Sequence, residues 1–257
     1  MQMPPNLFKQ ALAEGRPQIG LWCSLCSNIG AEILARAGFD WILVDTEHAP
    51  NELPAVFSQL QALSSGPSAP VVRPAWNDFV LLKRFLDIGV QNFLIPYVQT
   101  AEEARAAVAA TRYPPEGIRG VAVLHRGNQF GRITDYYARS NREICLLLQI
   151  ETRQGLDNLE AIAGVEGVDG LFIGPSDLAA ALGHLGDTGH PEVRAAIESA
   201  VKRIRATGKA PGMLAPVDAD ARHWLAHGCT VLAVGSDVGL LLRQSETLAA
   251  KFKTAGN

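Results

Sequence analysis

The sequence predicts a closed (β/α)8 barrel of the TIM type. Eight short apolar runs, many of them β-branched, recur along the 257 residues, and each leads into a polar or glycine-containing loop followed by an alanine- and leucine-rich helical stretch. Buried parallel strands read as nearly continuous apolar runs, and about 250 residues is the usual size of such a barrel. A doubly wound sheet is the alternative fold with the same rhythm.

In chain order the runs are QIGLWCSL from Gln18, DWILVDTE from Asp40, APVVRPA from Ala69, QNFLIPYV from Gln91, ICLLLQIE from Ile144, GLFIGPSD from Gly170, APGMLAP from Ala210 and TVLAVGSD from Thr230. Helical stretches AEILARAG, FVLLKRFLDIG and TAEEARAAVAATR follow the first, third and fourth. The last opens on Thr100 with Glu103 three residues on, the spacing of a capping box. Residues 113–143 break the rhythm, and an insertion of that length is usually functional or packed on a partner. No low-complexity linker divides the chain, so residues 1–257 read as one domain.

Composition narrows the function. A formal charge of -3 with scattered basic residues offers no footprint for nucleic acid and no polybasic membrane anchor. No uninterrupted apolar stretch reaches the ~18 residues of a membrane span, and the first residues, MQMPPNLFKQ, lack the zones of a signal peptide. A cytoplasmic enzyme acting on a small molecule is the expectation. The four cysteines, Cys23, Cys26, Cys145 and Cys229, are too few and too unevenly placed for a disulfide framework. The CxxC at 23–26 rides on an apolar run rather than a helix start and has no second ligand pair for zinc, so buried thiols are expected.

In such a barrel, chemistry gathers where the strands end. The second run ends with Asp45, Glu47 and His48, the third with Arg73, the fifth with Gln149 and Glu151, the sixth with Ser176 and Asp177, and the eighth with Ser236 and Asp237. Carboxylates crowded at one mouth repel each other unless a cation intervenes, so Glu151 and Asp177 suit Mg²⁺ or a similar ion with positions left for a chelating 2-oxo acid. Arg73 supplies fixed positive charge for a developing enolate oxygen, and His48 is the residue type and position suited to a general base. At Gly174-Pro175-Ser176-Asp177 the chain passes from strand to helix, where free backbone N–H groups hold a carboxylate. Trp22 and Leu214, at the ends of the first and seventh runs, pack the mouth or shape its pocket.

Each residue also has a structural reading. Asp45 with Arg73 is a plausible buried ion pair, Asp177 is placed to cap a helix, Asp237 reads as structural, and His184 and His190 read as surface-loop residues. An aldolase without a metal needs a Schiff-base lysine. None of the six lysines, at 9, 83, 202, 209, 251 and 253, ends a strand run, which argues against imine chemistry.

The segments VDTEHAP from Val44, VVRPAW from Val71, LDIGVQNFLIPYV from Leu86, YPPEGIRGV from Tyr113, LLLQIET from Leu146, DGLFIGPSDLAAALG from Asp169 and HPEV from His190 resemble, in order and over nearly the whole chain, the HpcH/HpaI family of metal-dependent 2-oxo-acid aldolases. Within it, the chain resembles the branch of 4-hydroxy-2-oxoheptanedioate and 2-keto-3-deoxy-sugar-acid aldolases. The resemblance implies a metal, Mg²⁺, Mn²⁺ or Co²⁺, on Glu151 and Asp177, Arg73 on the pyruvate enolate, and His48 as base through metal-bound water. It also implies that Asp87 pairs with that histidine, that Gln149, Gly174 and Ser176 surround the pyruvate moiety, and that the insertion and neighbouring subunits set aldehyde specificity. Arg119 and Arg126 are candidates to receive an acidic aldehyde, with ordinary surface arginines as the competing reading. A homo-hexamer, a trimer of dimers exchanging a C-terminal helix that starts near Gly239, is implied as well. The expected reaction is cleavage of a 4-hydroxy-2-oxo acid to pyruvate, or a close analogue such as hydroxypyruvate, and an aldehyde. The rivals are a citryl- or malyl-thioester lyase, for which no basic nucleotide-binding stretch is found, and a non-catalytic oxo-acid-binding barrel.

Overall fold

Every apolar run becomes a strand in the computed structural model, which describes residues 1–253. The strands are β1 (Gln18–Cys23), β2 (Trp41–Asp45), β3 (Ala69–Arg73), β4 (Asn92–Ile95), β5 (Cys145–Ile150), β6 (Gly170–Ile173), β7 (Ala210–Leu214) and β8 (Val231–Ser236). They pair in chain order, and β8 pairs back with β1 to close the barrel. All the pairings are parallel. The doubly wound alternative is excluded.

Two apolar cores follow from the alternation of side chains along each strand. The inner one fills the barrel with Phe8, Trp22, Trp41 and Phe172, whose ring centroids lie 5.7–6.4 Å apart where they touch. Glycines make room for these rings. A Cβ on Gly20 would come within 2.1 Å of Trp41, and one on Gly212 within 2.5 Å of Phe172. The outer core lies between the strands and the helices that surround them.

Helix α1 (Leu7–Ala13) precedes β1, and the other helices connect the strands: α2 (Asn28–Leu34), α3 (Leu53–Leu63), α4 (Phe79–Asp87), α5 (Ala101–Thr111), α6 (Tyr136–Glu143), α7 (Arg153–Asp157), α8 (Leu159–Ala163), α9 (Pro175–Ala181), α10 (Pro191–Ala206) and α11 (Asp218–Ala226). Thr100 and Glu103 form the expected capping box on α5, each side chain accepting the other residue's backbone N–H. The last helix, α12 (Asp237–Lys253), begins two residues before the expected start at Gly239. Asp237 is its buried residue, whereas Leu240, Leu241, Leu242, Leu248 and Phe252 are exposed. Among the described residues, no helix is long and apolar enough to cross a membrane.

The insertion at 113–143 holds a helix that apolar periodicity did not reveal, because five of the eight residues of α6, YYARSNRE, are polar or charged, the others being its paired tyrosines and an alanine. It connects α5 to β5, so it lies at the end of the barrel where strands begin, opposite the mouth. There it packs on the N-terminal segment: the Met3 backbone N–H donates to Asp135 at 2.7 Å, and Arg139 donates to the Met3 carbonyl. A cavity of about 600 Å³ opens at this same end, bounded by Met3, Arg126 and Tyr136. The expectation that the insertion shapes the aldehyde side therefore does not hold within one chain.

Candidate active site

Strand geometry brings most of the expected polar residues to one mouth. Asp45 ends β2 and Arg73 ends β3 in adjacent register, so their side chains meet. Arg73 donates to both Asp45 oxygens, Nε to Oδ1 at 2.8 Å and Nη2 to Oδ2 at 2.6 Å, and both residues are buried. Its Nη1 lies 2.8 Å from Glu47 Oε2. That oxygen makes no well-directed hydrogen bond, so the contact is mainly Coulombic. Below the guanidinium lies the Trp22 ring, 5.3 Å from Cζ to centroid, which ties Trp22 to both the inner core and the site. Leu214 is half-buried at the end of β7, packed against the same inner core.

These contacts set the charges. Burial alone would raise the Asp45 carboxyl, but the hydrogen bonds and charge of Arg73 hold it below the usual carboxylate range. Burial raises Glu47, with Arg73 and His48 opposing and the charges of Asp45 and Asp177 adding. His48 stands at the lip with its side chain 66% exposed, Nε2 4.0 Å from Glu47 Oε1.

Glu151 follows directly on β5 and is only 2% exposed. Oε1 accepts the Tyr97 backbone N–H at 2.8 Å, and Oε2 accepts from the Gln149 amide. Burial pushes its carboxyl up to about 7; the Tyr97 and Gln149 hydrogen bonds oppose this, and the charges of Glu47 and Asp177 add to it. Asp177 is exposed in the first turn of α9. The cap position of that helix is Gly174, with no side-chain cap, so Asp177 is not the helix cap. Gly174 itself is required by closeness: a Cβ there would lie 2.5 Å from Glu151 Oε2 and 2.9 Å from Gln149 Nε2. Ser176 is exposed beside Asp177, and Gln149 Oε1 is buried with no hydrogen-bond partner.

The donor set fits a hard divalent cation. A buried carboxylate faces the fields of two further carboxylates, while Arg73 at the same mouth is already engaged by Asp45 and Glu47. All the ligands on offer are oxygens, as Mg²⁺ and Mn²⁺ prefer.

Two expected features sit elsewhere. Asp87 ends α4, a helix that runs from the mouth toward the start of β4, so it lies at the opposite end of its own barrel from His48. Arg119 Nη2 lies 3.4 Å from Asp87 Oδ1, and His125 Nδ1 lies 4.0 Å from it. Arg119 is no surface arginine: it is 1% exposed, donates to Tyr136 at 3.0 Å and stacks on Tyr113. Arg126 is likewise half-buried, donating to the Ile88 carbonyl at 2.8 Å. Asp237 is structural, as expected, accepting the backbone N–H groups of Ser24, Leu25 and Val238. Cys23, Cys145 and Cys229 are buried free thiols, and Cys26 is partly buried.

Tyr97 is the residue that sequence reasoning missed. Its φ of 58° is the left-handed conformation that non-glycine side chains disfavour, and it aims the backbone N–H at Glu151. Its ring packs against Trp76, centroids 5.5 Å apart, and both side chains are exposed. No residue type in IPYV signals this.

A barrel whose mouth couples a clamped arginine, an exposed histidine and uncompensated carboxylates defines an enzyme that develops negative charge on a carbonyl acid. The family model for HpcH/HpaI aldolase/citrate lyase matches residues 18–244, and the chain belongs to that family. The 5-keto-4-deoxy-D-glucarate aldolase of Shigella dysenteriae serotype 1 is 57% identical over 249 residues, 97% of each chain. The crystal structure of an HpcH/HpaI aldolase/citrate lyase family protein from Burkholderia cenocepacia J2315 superposes with a TM-score of 0.94 at 41% identity, over 97% of this chain and 100% of that one. The HpcH/HpaI aldolase from Desulfitobacterium hafniense DCB-2 does so at 0.89 and 29%, over 97% of each. This protein is an aldolase, a carbon–carbon lyase that cleaves 4-hydroxy-2-oxo acids.

Proposed function

We propose that this aldolase cleaves 5-keto-4-deoxy-D-glucarate to pyruvate and tartronate semialdehyde, with a divalent ion, Mg²⁺, Mn²⁺ or Co²⁺, held by Glu151 and Asp177. The buried Glu151 carboxylate, crowded by the charges of Glu47 and Asp177, is the observation that carries the metal reading. The full-length 57% identity supports the substrate. When bound, the ion supplies Lewis acidity to the 2-oxo group and lets both carboxylates remain ionised.

The chain's own residues do the rest. His48, open to the mouth, takes the proton of the 4-hydroxyl as the carbon–carbon bond breaks. The electron pair of that bond moves into the pyruvyl half as an enolate, and the hydroxyl-bearing carbon leaves as the aldehyde. Arg73 places a charge that Asp45 and Glu47 have already oriented beside the enolate oxygen. Protonation of the enolate carbon then completes pyruvate. Gln149, beside Glu151 and Gly174, flanks the pyruvyl head group, and the first N–H groups of α9, at Ser176 and beyond Gly174, receive its carboxylate. Trp22 and Leu214 line the apolar wall.

Asp87 stands at the far end of its own barrel, so the pairing with His48 that the family resemblance implies requires a second subunit. The same holds for the insertion and the aldehyde side. A homo-hexamer, a trimer of dimers in which α12 is exchanged, suits a 17-residue helix that turns Leu240, Leu241, Leu242, Leu248 and Phe252 to solvent in the isolated chain. Free cysteines suit a cytoplasmic enzyme of one domain.

Incubation with 5-keto-4-deoxy-D-glucarate, with and without EDTA, tests the reading. Equal amounts of pyruvate and tartronate semialdehyde, formed only with metal, are expected. Turnover of a citryl or malyl thioester in preference, or binding without turnover, would contradict it.

A further inference from the structure

Beyond the mouth, the outer helices bring a second set of metal-ligating side chains together. We propose that His223, His227 and Glu198 form a binding site for a zinc-class transition-metal ion that fastens α11 to α10. His223 and His227 are four residues apart at the C-terminal end of α11, so they share one face of the helix, and their ring centroids lie 4.0 Å apart. This is the i, i+4 histidine spacing that suits a single ion. Glu198 reaches them from α10, Oε1 3.3 Å from His223 Nε2. One ligand atom from each of the three lies within 4.8 Å of the others.

The hydrogen bonding leaves the right nitrogens free. His227 Nδ1 lies 2.7 Å from the His223 carbonyl oxygen, which can only accept, so Nδ1 carries the proton and Nε2 presents its lone pair. A ligating histidine is typically fixed by this kind of bond from its other nitrogen to a carbonyl. His223 Nε2 is itself buried and makes no hydrogen bond. Ligand atoms about 3.3 Å apart surround a tetrahedral ion with bonds of about 2.0 Å, so closure needs side-chain rotation rather than movement of the helices. An open groove of about 440 Å³ beside Glu198 and His227 leaves room for water as a fourth ligand.

Two imidazoles with a single carboxylate select Zn²⁺, Ni²⁺ or Cu²⁺ over Mg²⁺. Lys202 and Arg205 line the same groove and further disfavour an ion bound by charge alone. The other histidine pair differs. His190 accepts the Glu192 backbone N–H through Nδ1 as the cap of α10, and His184 Nε2 lies 2.9 Å from Glu192 Oε2, so local hydrogen bonding accounts for both.

The test titrates Zn²⁺ into the full-length enzyme with Mg²⁺ in large excess to occupy the mouth, reading stoichiometry by calorimetry and the melting temperature. One Zn²⁺ per chain and a higher melting temperature are expected. His223→Gln and His227→Gln should each weaken binding by about a hundredfold, and Glu198→Gln should weaken it less. His184→Gln should leave it unchanged. A doubly substituted mouth, Glu151→Gln with Asp177→Asn, should still bind the ion. Loss of Zn²⁺ from that variant would place the ion in the mouth and overturn the proposal. So would His223→Gln protein that melts normally without zinc yet binds zinc as tightly as wild type. Should the histidine variants fail to fold, Co²⁺ absorption of the doubly substituted protein decides: bands of tetrahedral nitrogen ligation support the site, and their absence refutes it.

Discussion

Replacing Gly174 by alanine adds one methyl group at the most crowded point of the mouth. Gly174 has φ of -92°, which alanine adopts freely, so the effect is steric rather than conformational. The new Cβ would lie 2.5 Å from Glu151 Oε2, whereas ordinary contact begins at 3.4 Å, so the carboxylate must withdraw by about 0.9 Å. Displacing a catalytic group by ~1 Å costs about a hundredfold in rate. Gly174→Ala is therefore expected to lower kcat for pyruvate release about a hundredfold and to weaken Mg²⁺ binding. Stability should fall by about 1–3 kcal/mol from overpacking. Gly30→Ala is the control, since its Cβ meets nothing nearer than 3.5 Å. Steady-state kinetics, metal titration and thermal melting measure the three effects. Wild-type kcat and metal affinity in Gly174→Ala would refute the crowding argument.

Other predictions follow from the same contacts. Glu151 is raised to about 7 in the metal-free protein, so the fold binds its proton more tightly than the unfolded chain does. Metal-free stability should fall as pH rises from the ordinary glutamate range to about 7. Metal binding at about pH 6 should release close to one proton per chain, and less at about pH 8, measured by calorimetry in buffers of different ionisation enthalpy. Arg73→Ala should abolish both cleavage and pyruvate proton exchange, because both pass through one enolate, and should destabilise the fold by about 3–5 kcal/mol by leaving Asp45 and Glu47 unpaired. Retained exchange would assign Arg73 another role. Tyr97→Val should weaken metal binding more than Tyr97→Gly, since a β-branched residue resists the left-handed φ that directs the N–H at Glu151. Equal affinities would remove that N–H from the account. Borohydride with pyruvate should leave activity intact, for Lys9 and Lys209 are held at the closed end of the barrel by the Ile144 and Val168 carbonyls.

The barrel was legible because its strands are buried on both faces, which forces long apolar runs broken at regular intervals. The mouth was legible for a related reason: Asp45, Arg73, Gln149 and Glu151 interrupt or end those runs where only function or an ion pair tolerates polarity. Three things were not legible. Tyr97 acts through its backbone conformation, which side-chain identity does not encode. Asp87 and the insertion belong to the opposite end of the barrel, a placement that depends on which connection they occupy rather than on residue type. Arg119 reads as a surface cation, and only its stacking on Tyr113 and its bond to Tyr136 take it out of water.

The central claim, an enolate formed beside a metal on Glu151 and Asp177, is tested most directly by exchange of the pyruvate methyl protons with deuterium, followed by NMR. Exchange should stop when the enzyme is stripped of metal and return when Mg²⁺, Mn²⁺ or Co²⁺ is restored. Glu151→Gln and Asp177→Asn should each remain silent with metal present. Undiminished exchange in the stripped enzyme, or in either variant, would contradict the account.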